Sequence, residues 1–220
     1  MSHSILIGLK SVVSAATPVV FAVIGETLIE RSGIINLSIN GAIVLTAMTG
    51  FVTSLMSGSI IVGFVSGALV GAFVSFIIAF SNISLKQSQV AVGFVLAILC
   101  RELAYFLGNP FMGEMGPLVS SLRLPIFADI PIIGELFFQQ NLLVYLSYAL
   151  IVLSYVWIFY TRQGLLLRAV GENPKAAFIR GVKVNRMRYL YTILGGVLIG
   201  LSGPMYSLSI KAGWKGTVSG

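Results

Sequence analysis

A cluster of polar residues lies where the first long apolar stretch of the chain gives way to the second. Its members are carboxylates, a guanidinium group, amides and a hydroxyl, namely Glu26, Glu30, Arg31, Asn36, Ser38 and Asn40. Such groups cost on the order of a few kcal/mol at or inside a membrane unless they pair or face water. Asn36 and Asn40 are four residues apart and are expected to share one face of a helix.

Two interpretations of this cluster stay open. In the first, Glu26, Asn36, Ser38 and Asn40 line a path along which a polar solute crosses the membrane. In the second, the same side chains make hydrogen bonds between helices and only hold a helix bundle together.

The second candidate site is a basic segment, residues 161–189, with the sequence TRQGLLLRAVGENPKAAFIRGVKVNRMRY. Seven basic residues stand there against one acidic residue, so the segment carries six of the seven net positive charges of the chain. Asn173 is a good helix cap, Pro174 fits the first helical position and Gly181 suits a left-handed stop. This pattern predicts a short helix over residues 174–180.

The predicted helix would present a small apolar surface from Ala176, Ala177 and Phe178 while Lys175 and Arg180 stay in water. That shape is typical of a peg that sits in a groove of another protein. A basic loop held at anionic lipid headgroups explains the same charges. The residues alone do not separate these interpretations.

Motifs for several kinds of chemistry are missing from the sequence. It contains no GxxxxGK[ST] phosphate loop, no HExxH motif and no evident nucleophile with a neighbouring base. Cys100 is the single cysteine and His3 the single histidine, so no metal site is predicted. We therefore expect no catalytic residues and no cofactor in this chain.

The elements that must position these residues are membrane helices. Of 220 residues, 57% are hydrophobic and 10% are charged, which predicts an integral membrane protein rather than a nucleic-acid-binding one. The fold class predicted is all-α, a polytopic transmembrane helix bundle. Its six predicted membrane segments cover residues 6–24, 34–55, 60–80, 90–107, 142–160 and 190–210.

The positive-inside rule places the basic segment in the cytoplasm and orders the other connections. Lys86 and residues 26–32 are then expected on the same side, whereas the N-terminus, the turn near Ser57 and a proline-rich stretch over 108–140 are expected outside. A re-entrant element over 33–41 would invert the first segment, so that alternative stays open.

Small residues recur every four positions on the third segment, at Gly63, Gly67 and Gly71, and again at Gly196 and Gly200 on the sixth. This spacing predicts close packing between membrane helices. Arg101 and Glu102 lie inside the fourth segment, where pairing or snorkelling with a structural role is the favoured interpretation over a role in transport.

Three stretches make the chain resemble the permease subunits of bacterial ABC importers of the branched-chain amino acid and sugar superfamily, and most of all the branch that imports nucleosides. They are GETLIERSGIINLSINGAIVLTA (25–47), GLLLRAVGENPKAAFIRGVKVNRMRYL (164–190) with GGVLIGLSGPMYSL (195–208), and GWKGTVSG (213–220).

The resemblance implies a coupling helix within residues 172–180 that docks on a separate ATPase, which would hold the ATP and Mg²⁺. The coupling residues implied are Gly171, Glu172, Asn173, Pro174, Lys175, Ala176, Ala177 and Gly181. A second permease subunit, an extracellular or periplasmic solute-binding protein and the lipid bilayer are the other implied partners. The implied location is the bacterial cytoplasmic membrane.

Two departures from the family pattern stand out. Related permeases often carry Glu where this chain has Asn40, which weakens a substrate role for that position. They also usually continue through further helices, so residues 1–220 are expected to be a single permease domain that is incomplete at its C-terminus. Three alternatives remain: a branched-chain amino acid or monosaccharide permease, an ATP-independent transporter or channel, and a remnant that binds partners without moving a solute.

Overall fold

A computed structural model describes residues 3–119, 140–210 and 213–214. Eight α-helices follow one another in this part of the chain: α1 (His3–Arg31), α2 (Ile39–Ser57), α3 (Ile60–Ile83), α4 (Gln89–Gly108), α5 (Leu142–Tyr160), α6 (Arg162–Glu172), α7 (Pro174–Ile179) and α8 (Val184–Met205). A 3-10 turn (Asn109–Phe111) follows α4, and a π-helical turn (Tyr206–Ile210) follows α8.

The prediction of a polytopic all-α bundle is confirmed. The described residues contain six helical stretches that are long and apolar enough to cross a membrane. They cover Gly8–Arg31, Ile39–Ser57, Ile60–Ile83, Gln89–Phe111, Leu142–Tyr160 and Val184–Ile210. The protein is therefore a multi-pass membrane protein.

Three predicted boundaries are wrong. The first helix continues to Arg31, and Gly33, with a φ of 82°, lies in the turn that follows it. The second begins at Ile39, after a non-helical turn. The last begins at Val184 because its first turns are polar, and apolarity alone does not detect them.

Helix α8 is the centre of the bundle. It packs against α3, α1 and α2, whereas α4 packs mainly on α2 and α5 mainly on α1. The most extensive contact is between α3 and α8, and it depends on glycines. A Cβ on Gly71 would collide with the backbone of Gly196 and Gly200, and one on Gly200 would collide with the backbone of Gly67.

Hydrogen bonds between distant segments show which connections share an end of the bundle. Ser84 Oγ and Tyr189 Oη are 2.7 Å apart, and Ile35 N–H donates to Gln89 Oε1 at 2.7 Å. The turns after α1 and α3 thus lie with the basic segment, at what we call the basic end. At the opposite end, Val119 N–H donates to the Leu208 carbonyl at 3.0 Å.

The connections therefore alternate between the two ends of the bundle as predicted from the charges. The alternative with an inverted first segment is wrong, because α1 ends at the basic end. Most of the proline-rich stretch, residues 120–139, and most of the stretch 213–220 lie outside the described residues.

Candidate functional site

The basic end carries the short helix predicted from Asn173, Pro174 and Gly181. Asn173 Oδ1 accepts a hydrogen bond from the Ala176 N–H at 3.0 Å, and Pro174 occupies the first helical position. The helix stops after Ile179, and Gly181 has a φ of 84°, which favours glycine. The structure brings the proposed coupling residues 171–177 and Gly181 together in one compact turn of chain.

The outward face of α7 differs from the predicted one. Ala177 is buried between Val170 of α6 and Val184 of α8, so it faces this protein and not a partner. Phe178 is 71% exposed and Ile179 is 83% exposed, and both stand at the tip of the basic end. Ile179 was not singled out in the sequence analysis. Its exposure could have been predicted, because it follows Phe178 in a helix that is too short to bury both side chains.

Charged residues close in sequence to these two apolar residues are exposed as well. Glu172, Lys175 and Arg180 are exposed on the same turn of chain. A surface with an apolar centre and a charged rim is the ordinary composition of a protein interface.

The helices that carry this surface are tied to the bundle. The Arg188 guanidinium donates to the backbone carbonyls of Ser32 at 3.1 Å and Gly33 at 3.2 Å. Gly171 lies so close to the end of α1 that a Cβ there would collide with the Arg31 carbonyl. Tyr191 Oη donates to Gln163 Oε1 at 3.1 Å, which links α8 to α6.

These contacts connect the exposed helix α7 to the membrane helices. Helix α7 packs on α6 and α8 through Ala177, and both of these helices contact the end of α1. Arg188 was predicted only as one charge among seven, and its role at this junction required the tertiary structure.

The first polar cluster is arranged differently from the prediction. Asn36 lies in the turn before α2, so the prediction that it shares a helical face with Asn40 is wrong. Its Oδ1 accepts hydrogen bonds from the Ser38 N–H at 2.9 Å and the Ser38 hydroxyl at 2.7 Å. An asparagine that satisfies the backbone two residues on stabilises a turn instead of helix. Asn36 and Ser38 are both buried, and Asn40 is exposed.

Glu26 lies beside Asn36. Its carboxylate interacts with the backbone and the side chain of Asn36, while its Oε2 atom is buried and has no hydrogen-bond partner among the residues that the structure describes. Glu26 also borders a hollow of about 350 Å³ between α1 and α2, which Glu30 and Ile43 line as well. The structure thus gathers Glu26, Asn36 and Ser38 near the basic end and leaves Asn40 apart from the hydrogen bonds of this group.

The described residues contain no group of three His, Cys, Asp or Glu side chains that could hold a metal ion. The arrangement provides a set of tightly packed helices, a mainly apolar hollow with Glu26 and Glu30 in its lining, and an exposed apolar surface at one end.

The chain is similar to curated transport proteins. It is 35% identical over 212 residues to the putative glucose ABC transporter permease protein TsgC13 of Haloferax volcanii, which covers 94% of this chain and 64% of that protein. It is 31% identical over 217 residues to the nucleoside ABC transporter permease protein NupC of Lactococcus lactis, covering 93% and 68%. It is 28% identical over 221 residues to the guanosine ABC transporter permease protein NupQ of Bacillus subtilis, covering 93% and 68%.

The chain spans about two thirds of the length of these relatives. No solved structure matches it. The family model described as branched-chain amino acid transport system / permease component matches residues 8–219, nearly the whole chain. Because this match covers almost all of the chain, the protein belongs to that permease family.

Proposed function

We propose that this chain is a membrane-spanning subunit of an ATP-driven importer that carries nucleosides or related sugar-containing solutes into the cell. Residues 1–220 act as one permease unit, and the segment 161–189 is its coupling loop. A separate ATPase docks on α7 and holds the ATP and Mg²⁺. A second permease subunit and an external solute-binding protein complete the transporter, which lies in the bacterial cytoplasmic membrane.

The observation that carries the proposal is the exposed pair Phe178 and Ile179 at the tip of the basic end. Large apolar side chains in water are unfavourable, and aromatic residues inside a charged rim are typical anchors in protein interfaces. Helix α7 packs on α6 and α8, which both contact the end of α1, so docking on α7 would act on the bundle. The relatives named for nucleosides, guanosine and glucose support the choice of solute.

The proposed solute path at the basic end uses Glu26, Asn36 and Ser38, with Asn40 at its margin. The unpartnered Oε2 atom of Glu26 supports this assignment, because a buried carboxylate oxygen without a partner is costly unless a ligand or water reaches it. Branched-chain amino acids and free sugars are the alternative solutes, which the family description and the glucose permease suggest.

The test is co-purification of the ATPase with matched aspartate variants. Phe178→Asp combined with Ile179→Asp places two charges in the proposed interface, whereas Met115→Asp changes a side chain that is 89% exposed beyond α4, at the opposite end. We expect the double variant to bind the ATPase at least about thirtyfold more weakly, as for loss of an interface anchor. The Met115 variant should bind normally.

Uptake of labelled nucleosides by the reconstituted transporter completes the test. ATP-dependent uptake that disappears in the double variant supports the proposal. Retention of the ATPase by the folded double variant contradicts the docking assignment, and uptake that persists without ATP identifies a secondary transporter or channel instead.

A further inference from the structure

An ion pair lies on the outer surface of α4, outside the site described above. Arg101 donates from Nε at 3.1 Å and from Nη2 at 3.0 Å to one oxygen, Oε1, of Glu102. The two side chains are 48% and 58% exposed. The pairing favoured by the sequence is therefore confirmed, but its position on the helix makes a purely structural role difficult to sustain.

The pair lies near the middle of an apolar stretch that is long enough to cross a membrane. The membrane-spanning stretch Gln89–Phe111 has 23 residues, and Arg101 is about 18 Å of helix from its first residue and about 15 Å from its last. The hydrocarbon core is about 30 Å thick. Because both guanidinium nitrogens donate to the same oxygen, the two side chains lie side by side and do not reach toward the two membrane surfaces.

The pair also points away from the rest of the bundle. Helix α4 packs on α2 and α3 through a buried face made of Gly93, Leu96, Cys100, Ala104 and Gly108. Glu102 is two residues beyond Cys100, about 200° around the helix, and is thus nearly opposite that face. A charged side chain in lipid at this depth costs about 2.5–3.5 kcal/mol, and such residues normally face a bundle interior or a water-filled cavity.

We propose that the outer face of α4 lines the water-filled solute path, and that Arg101 and Glu102 bind the neighbouring hydroxyl groups of a sugar ring in mid-membrane. The proposal rests on the proposed function, since it names the part of the solute that this face recognises. It places a second solute contact about halfway across the membrane, in addition to the one proposed at Glu26, Asn36 and Ser38 near the basic end.

The chemistry of the pair matches a diol. Glu102 Oε2 and Arg101 Nη1 make no hydrogen bonds within the described residues, so one can accept from a hydroxyl and the other can donate to its neighbour. Glu102 opens onto a hollow of about 650 Å³ that Tyr105, Phe106 and Asn109 also line. Phe106 is 77% exposed and offers an apolar ring beside the charges. A nucleoside presents hydroxyls and a flat base together.

The first test measures water access in the full transporter, in membranes. In a Cys100→Ala background, Glu102→Cys is compared with Leu69→Cys, which changes a side chain that is 65% exposed at similar depth on α3. A membrane-impermeant, charged thiol reagent should modify the first variant at least about tenfold faster, and nucleoside should slow that reaction. Equal, slow modification of both variants overturns the proposal, and so does disulfide cross-linking of the Glu102→Cys variant to another subunit.

The second test separates solute contact from structural support. Glu102→Gln should raise KM about tenfold for a ribonucleoside, the loss expected for one hydrogen bond to a charged group. It should change KM little for the 2′,3′-dideoxy analogue, which lacks both hydroxyls. Equal effects on the two solutes overturn the proposal.

The double variant Arg101→Glu with Glu102→Arg keeps an ion pair on α4 but exchanges the positions of the two charged groups, so it restores a structural pair and not a solute contact. Uptake equal to that of the unsubstituted transporter would overturn the proposal.

Failure of the proposed function is recognised separately. A transporter without ATP-dependent uptake contradicts that function, whereas the thiol reactivity of the Glu102→Cys variant still decides whether this face is in water.

Discussion

Helices α8 and α4 both cross the membrane, yet the protein uses them in opposite ways. More than half of the most apolar stretch of α8 is buried inside the bundle, and less than a quarter of that of α4 is. The more buried helix is also the less apolar one. In a membrane, lipid is as apolar as leucine, so burial follows close packing of small residues instead of hydrophobicity.

The charged residues of the two helices repeat this contrast. Arg188 on α8 is fixed by two backbone carbonyls at a helix junction. Among the described residues Arg101 on α4 pairs with its neighbour Glu102 alone, and the pair remains exposed. Packing and anchoring concentrate on α8, whereas α4 keeps polar groups free for an external occupant.

The largest expected effect concerns the contact between α3 and α8. Gly71→Leu would force a side chain into the backbone of Gly196 and Gly200, and neither backbone segment has room to yield. We expect little or no folded protein, because overpacking against backbone exceeds the usual cost of about 1–3 kcal/mol. Yield of monodisperse protein in mild detergent measures this. Gly8→Leu is the control, since nothing lies within 4 Å of a Cβ there. Equal yields would contradict the packing described.

A matched pair of isoleucines gives the next largest difference. Ile199 on α8 is 1% exposed and Ile98 on α4 is 46% exposed. Ile199→Ala should lower the free energy of unfolding by about 2–5 kcal/mol, because a cavity remains, whereas Ile98→Ala should change it by about 0.5 kcal/mol or less. Thermal unfolding in detergent compares them. Similar melting temperatures for the two variants would show that α4 is packed as tightly as α8.

Much of the fold could be predicted from the sequence, because membrane helices reveal themselves by length and apolarity. The six spans and the order of their ends follow from apolar runs and the positions of Lys and Arg. The short helix α7 was predictable because Asn173, Pro174 and Gly181 act locally. Helix ends were harder where polar residues continue a helix beyond its apolar part, as in residues 25–31 and 184–189.

The candidate site was predictable only in part. Asn36 was assigned to a helix because its four-residue spacing to Asn40 imitates helical periodicity, but its side chain satisfies a turn instead. The direction in which Ala177 faces, and the junction at Arg188, depend on contacts between segments far apart in sequence. The outward direction of Glu102 likewise follows from which face of α4 packs on α2.

The smallest effect comes from removing the two arginines' hydrogen bonds. Arg188→Gln should lower the free energy of unfolding by about 1.5–3 kcal/mol, since two carbonyls at the end of α1 lose a charged donor. For Arg101→Gln we expect a change of at most about 1 kcal/mol, as for exposed ion pairs. Melting temperatures in detergent, each normalised to the unsubstituted protein, measure both changes. A water-exposed pair leaves stability nearly unchanged, whereas in lipid Arg101→Gln would be clearly destabilising, because the Glu102 carboxylate would lose its partner in hydrocarbon. A large loss of stability on that substitution would therefore place the outer face of α4 in lipid.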